Sequence, residues 1–149
     1  QDDALSVVQV GGCACCSGAL VLRVALTRLL RRKGWHHVLI LAGATARPSA
    51  IAAMLRSAPF EGLVEIRELV AALDAKAAAA GLDASARLHE TALEQVVAST
   101  KVLLAGRRML SPPAALALEA AVRDAAAGRR VLECDHGDWP DWAAIGTPS

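Results

Sequence analysis

Hydrophobic and polar positions along this chain switch between two periods, and the switching predicts its elements. Residues 6–10 (SVVQV) are short and rich in valine and stop at Gly11-Gly12, which reads as a strand. Residues 17–33 change to helical spacing, with Leu22, Leu26 and Leu29 on one stripe and Ser17 at the N-cap position. Arg31, Arg32 and Lys33 suit the negative end of that helix dipole, and Gly34 suits its C-terminal cap. Residues 38–42 (VLILA) are a near-continuous apolar run, the pattern of a strand buried on both faces.

The alternation continues to the end of the chain. Pro48 opens a helix reaching about Arg56, and residues 63–73 read as a strand with a polar middle at Glu65, Arg67 and Glu68. The alanine-rich residues 75–80 predict a short helix closed by Gly81. Residues 85–100 predict another, with Leu93, Val96 and Val97 on its apolar face. Residues 102–104 read as a short buried strand. Ser111-Pro112 starts a helix with Leu118 and Val122 inward and its end at Gly128. Residues 131–134 form the last predicted strand. Regular alternation of strand and helix implies βαβ units, hence a three-layer α/β fold whose mostly parallel sheet is flanked by helices. Neither a repeat nor an interdomain linker is visible, so residues 1–149 are expected to form a single domain.

Composition narrows the function. Hydrophobic residues make up 54% of the chain and charged residues 21%, enough for a sizeable core and too apolar for an intrinsically disordered chain. Aromatic residues are only 3% of the chain, with no Tyr, one Phe (Phe60) and three Trp (Trp35, Trp139 and Trp142), so stacking platforms for single-stranded nucleic acid are not expected. The formal net charge of +1 supplies no field for a phosphate backbone or an anionic membrane. No apolar run approaches the roughly 18–20 residues of a membrane span, and Gln1-Asp2-Asp3 is unlike a basic leader. Neither nucleic acid nor membrane is an expected partner.

The four cysteines are grouped in a telling way. Cys13, Cys15 and Cys16 crowd together and Cys134 lies far away, whereas a secreted disulfide framework spreads its cysteines to staple distant loops. A reducing, cytoplasmic setting with metal or thiol chemistry fits better. The cluster joins a predicted strand to a helix N-terminus, where thiolates are favoured. Gly11-Gly12 allows a tight bend, and three thiolates suit a soft or borderline ion such as Zn²⁺. A fourth ligand is expected from water, Cys134 or His136, since both residues follow a predicted strand end. The alternative is that these cysteines are small buried residues. His36, His37 and His89 read as solvated, and Arg107-Arg108 as surface charge or an anion contact.

The stretch GGCACC leading into an amphipathic helix resembles the CobW-type proteins, metallochaperone GTPases grouped with HypB and UreG, whose mark is Cys-x-Cys-Cys entering a helix. The resemblance extends over nearly the whole chain. Residues 36–48 (HHVLILAGATARP) match the family's buried strand and the segment after it. Residues 69–75 (LVAALDA) resemble its strand ending in Val-Asp-Ala. Residues 94–110 (EQVVASTKVLLAGRRML) align with the segment that ends in Asn-Lys-x-Asp-Leu. The resemblance implies a P-loop-NTPase-like fold, GTP binding and hydrolysis, and delivery of zinc or cobalt to a client metalloprotein.

Several residues depart from that pattern. Phosphate binding needs a glycine-rich loop with Lys and Ser/Thr, and the chain contains no Gly-Lys pair. The carboxylate expected to position magnesium aligns with Leu41, and Arg47 stands where an acidic residue precedes Pro48. The guanine-reading motif aligns with Ala105, Gly106, Arg107 and Arg108, while Asp74 and Gln95 are retained. The expectation is a degenerate, N-terminally incomplete family domain: metal-binding through Cys13, Cys15 and Cys16, zinc as the ion, GTP hydrolysis lost. One alternative is a GTPase whose phosphate loop lies upstream of residue 1, and another is a thiol redox protein using Cys15-Cys16. An uncovered sheet edge would favour a homodimer.

Overall fold

A computed structural model describes residues 8, 9, 11, 18–32 and 37–135, and the chain divides into two units, Gln1–Val64 and Glu65–Ser149. In the first, helix α1 spans Ala19–Arg31 and helix α2 spans Pro48–Leu55. Helix α1 contains neither Gly nor Pro, and its inner stripe is Leu22, Leu26 and Leu30, spaced i, i+4, i+8. Gly18 stands at its N-cap without a side-chain cap, and the expected capping residue Ser17 lies outside the described residues. Phe60, fully buried, is the centre of this unit's core, packed with Leu22, Leu26, Met54 and Val64. The Arg23 guanidinium lies 5.9 Å from the Phe60 ring centroid and donates to the Ala58 carbonyl at 2.8 Å. Pro48 opens α2 as expected, with Ile51 and Ala52 buried.

Residues 38–42 are not a strand: they form no ladder, and Leu39 and Leu41 are 63% and 81% exposed. An apolar run specifies a strand only when a neighbour accepts its backbone groups, and no described residue pairs with this one. The strand expected at residues 6–10 falls mostly outside the described residues, as does the tail from residue 136.

Among the described residues the sheet lies in the second unit. Strand β1 (Val70–Asp74), helix α3 (Ala75–Ala80), helix α4 (Glu90–Ala98), strand β2 (Lys101–Ala105), a 3₁₀ turn (Arg107–Met109), helix α5 (Pro112–Ala126) and strand β3 (Arg130–Cys134) follow in order. The three strands are parallel in the order β1-β2-β3, with Asp74, Ala105 and Cys134 in register at their C-terminal ends. This is an open parallel sheet flanked by helices, the α/β class that the alternation implied. Ala71 and Leu73 of β1 and Val102 and Leu104 of β2 face a core built with Leu88, Val96, Leu118 and Val122. The central strand is buried over Lys101–Leu104, as a strand with neighbours on both sides should be.

Some boundaries differ from the pattern. The strand expected over residues 63–73 is confined to Val70–Asp74, because its partner β2 offers five residues to pair with. The helix expected over residues 85–100 is Glu90–Ala98, and its inward stripe is Ala92 and Val96, continuing Leu88. Leu93 and Val97, expected inward, are 40% and 52% exposed. Helix α5 begins at Pro112 and buries Leu118 and Val122 as expected. Among the described residues no helix is long and apolar enough to cross a membrane.

Candidate functional site

The C-terminal ends of the three strands bring together Asp74, the turn at Gly106 with the arginine pair that follows it, and Cys134. Strand β1 ends at Asp74, whose carboxylate accepts from the Ala77 N–H at 2.8 Å and so caps α3. Strand β2 ends at Ala105. The chain then turns at Gly106, whose φ of 76° is a left-handed conformation open to glycine at little cost. The Gly106 N–H donates to the Cys134 carbonyl at 2.9 Å, tying this turn to the end of β3.

Immediately after it, two arginines are taken up by carboxylates of the same unit. Arg107 pairs through Nη2 with Glu119 of α5, and its Nε lies 3.5 Å from the Glu133 carboxylate of β3, without a hydrogen bond. Arg108, largely exposed, places Nη1 2.9 Å from Asp135. Arg107 therefore bridges a helix and a strand, and Arg108 holds the residue that follows β3. These carboxylates engage part of the donor set of each guanidinium, Arg107 more fully than the exposed Arg108. The sequence singled out this arginine pair without its acidic partners, because Glu119 and Asp135 become neighbours only through the fold.

The expected metal ligands are distributed unevenly. Cys13, Cys15, Cys16 and His136 lie outside the described residues. Cys134 closes β3 as a half-buried thiol that forms no disulfide. Among the described residues, His, Cys, Asp and Glu make no group of three placed to hold an ion. Leu41 is exposed, and Arg47 is the N-cap residue of α2. His37 is exposed and His36 lies outside the described residues. His89 is exposed as expected, with a role that spacing did not reveal: its Nδ1 accepts from the Thr91 N–H at 3.4 Å at the start of α4.

A second polar cluster, at the N-terminal end of β2, joins Glu68 to residues that the sequence pattern does not connect with it. Lys101, the first residue of the central strand, is 4% exposed, and its Nζ lies 2.9 Å from Glu68 Oε1. The Thr100 hydroxyl donates to Glu68 Oε2 at 2.6 Å, and the Leu69 N–H donates to the Thr100 oxygen at 3.1 Å. Burial of Glu68 opposes its charge. The hydrogen bonds from Thr100 and Lys101 and the ammonium charge outweigh that, so its carboxyl titrates below the usual range. This cluster fixes the entry of β1 and β2.

Comparison with known proteins adds one finding. The family model described as CobW/HypB/UreG, nucleotide-binding domain, matches residues 1–132. A search of the curated proteins and of the solved structures finds no match to the chain.

Proposed function

The chain belongs to the CobW/HypB/UreG nucleotide-binding domain family, and from that premise we propose that it is a degenerate member that binds a metal ion through Cys13, Cys15 and Cys16 and does not hydrolyse GTP. The observation that carries the loss of GTP chemistry is the pairing of Arg107 with Glu119 and Glu133 and of Arg108 with Asp135. These pairs stand at the sheet edge that aligns with the guanine-reading motif. Leu41 and Arg47, where the family pattern places carboxylates, support the same reading.

The metal reading rests on the chemistry of the donor set. Three thiols within four positions, following two glycines, match a borderline ion such as Zn²⁺. In this reading the ion is cargo held as a thiolate complex for a client metalloprotein, in a reducing compartment such as the cytoplasm. Cys134 and His136 are the proposed sources of a fourth ligand.

Zinc titration against a chromophoric chelator tests the metal reading. A single tightly held ion is expected, lost in Cys13→Ser, Cys15→Ser and Cys16→Ser, and weakened by whichever of Cys134→Ser and His136→Ala removes a ligand. Weak binding that ignores the three cysteine substitutions would end it. Equilibrium binding of labelled GTP with Mg²⁺ tests the other half, and saturable binding with turnover would make the chain part of a working GTPase. A reversible Cys15–Cys16 disulfide in metal-free protein would favour thiol redox chemistry instead.

A further inference from the structure

Strand β3 is fastened by charge more than by burial. Among the described residues it has one strand neighbour, β2, and none of its five side chains is buried. The buried core of this unit includes no residue of β3. Apolar burial is the usual anchor of a strand, so β3 depends on its ladder and on the end where polar groups converge. At that end three consecutive residues are each tied to one residue of the turn that follows β2. The Cys134 carbonyl accepts from the Gly106 N–H at 2.9 Å, Glu133 faces Arg107, and Asp135 lies 2.9 Å from Arg108. Arg107 also pairs with Glu119, so the same guanidinium reaches α5, which packs into the core.

The ion pairs differ in depth. The Arg107 and Glu119 side chains are 30% and 21% exposed, whereas that of Arg108 is 81% exposed. Dissolved salt screens the outer pair strongly and the inner one much less. We infer that residues 106–108 form a two-stage electrostatic latch on the exit of β3. Arg108 and Asp135 are an outer catch that ionic strength releases. Arg107, with Glu119 and Glu133, is an inner catch that keeps the end of β3 on β2. Opening the latch acts on the strand end that carries Cys134, so the latch governs how firmly one candidate metal ligand is placed. That consequence rests on the proposed metal reading, while the latch itself does not.

Amide hydrogen exchange of the full chain, with a chelator present and resolved element by element, tests the latch without involving metal binding. Arg107→Gln should speed exchange in β3 by about tenfold while β1 and α4 keep their native rates, because local opening leaves the core closed. Arg107→Lys, which keeps the charge, should restore most of the protection. Arg108→Gln should speed β3 by about two- to fivefold, the scale of an exposed pair. Salt at about 1 M should do the same to the native chain and add nothing to Arg108→Gln. The charge swap Arg108→Asp with Asp135→Arg should return β3 to its native rate at low salt. Because Arg108 is exposed, these arms stay readable if Arg107→Gln fails to fold. Unchanged β3 exchange in Arg107→Gln, equal acceleration of β1 and α4, a salt effect that survives Arg108→Gln, or a swap no better than Arg108→Gln would each overturn the inference.

Discussion

A nearly buried lysine at the head of the central strand decides more about this sheet than its position in the sequence suggests. Lys101 is 4% exposed, and an ammonium so placed is tolerable because Glu68 stands 2.9 Å away and Thr100 orients the carboxylate. Removing Glu68's charge leaves Lys101 without that compensation, so Glu68→Gln is expected to cost about 3 kcal/mol in urea unfolding at pH 7. Glu68→Gln combined with Lys101→Met should recover much of that loss. The pH dependence has a definite sign. The folded carboxyl titrates below its unfolded value, which is about 4.3 for Glu, so its stabilisation is complete above that pH and is lost as pH falls through the depressed folded value. The wild-type midpoint should therefore fall more steeply than that of Glu68→Gln as pH falls below about 5. A variant as stable as wild type, or one with the same acid slope, would show that Glu68 is not the group holding Lys101. In the sequence Glu68 is only a polar interruption in an apolar run, because its partners lie more than thirty positions away and meet it only through β1–β2 pairing.

At the level of elements, what was legible follows from which signals are local. Helix α5 was readable because Ser111-Pro112 fixes its start and Leu118 and Val122 lie one turn apart on its buried side. Helix α3 was readable because Asp74 precedes an alanine run and Gly81 follows it. Residues 38–42 were misread because a strand depends on a neighbour that no local pattern encodes. Leu93 and Val97 were misassigned because two overlapping apolar stripes fit α4, and packing against β1 and α5 selected the one through Val96. The end of α5 shows a finer mismatch. Gly128 was the expected stop, yet the left-handed conformation begins one residue earlier at Ala127, with φ 48° and ψ 49°. The chain must turn within residues 127–129 for Arg130 to pair opposite Lys101, so Ala127 accepts a conformation that disfavours a Cβ. Ala127→Gly should relieve it, raising stability by about 0.5–1 kcal/mol and the melting temperature by about 1–4 °C. A lower melting temperature would mean that the added unfolded-chain freedom outweighs the relief.

For the molecule as a whole, the family was readable because its marks are contiguous: Cys-x-Cys-Cys entering a helix, and an ungapped segment, residues 94–110, that contains the arginine pair. The acidic partners of Arg107 and Arg108 were not readable, since Glu119, Glu133 and Asp135 approach only when α5 and β3 close the sheet edge. If the cysteine motif holds zinc, the ion must also be a folding ligand, because any species bound by the folded state alone shifts the unfolding equilibrium by mass action. At a free zinc concentration a hundredfold above the dissociation constant the gain is about 2.7 kcal/mol, diminished by whatever the unfolded cysteines bind. For a chain of this size that corresponds to a rise of about 5–10 °C in melting temperature. Helix α1 begins three positions after Cys16, so its amide exchange should slow in the same preparation. The shift should shrink as pH falls, because the ligating sulfurs must be deprotonated, and it should vanish on chelation. In the triple variant Cys13→Ser, Cys15→Ser, Cys16→Ser zinc should leave both melting temperature and α1 exchange unchanged. A thermal shift that survives those substitutions would place the ion elsewhere in the molecule, and no shift in the native chain would remove metal binding from the account.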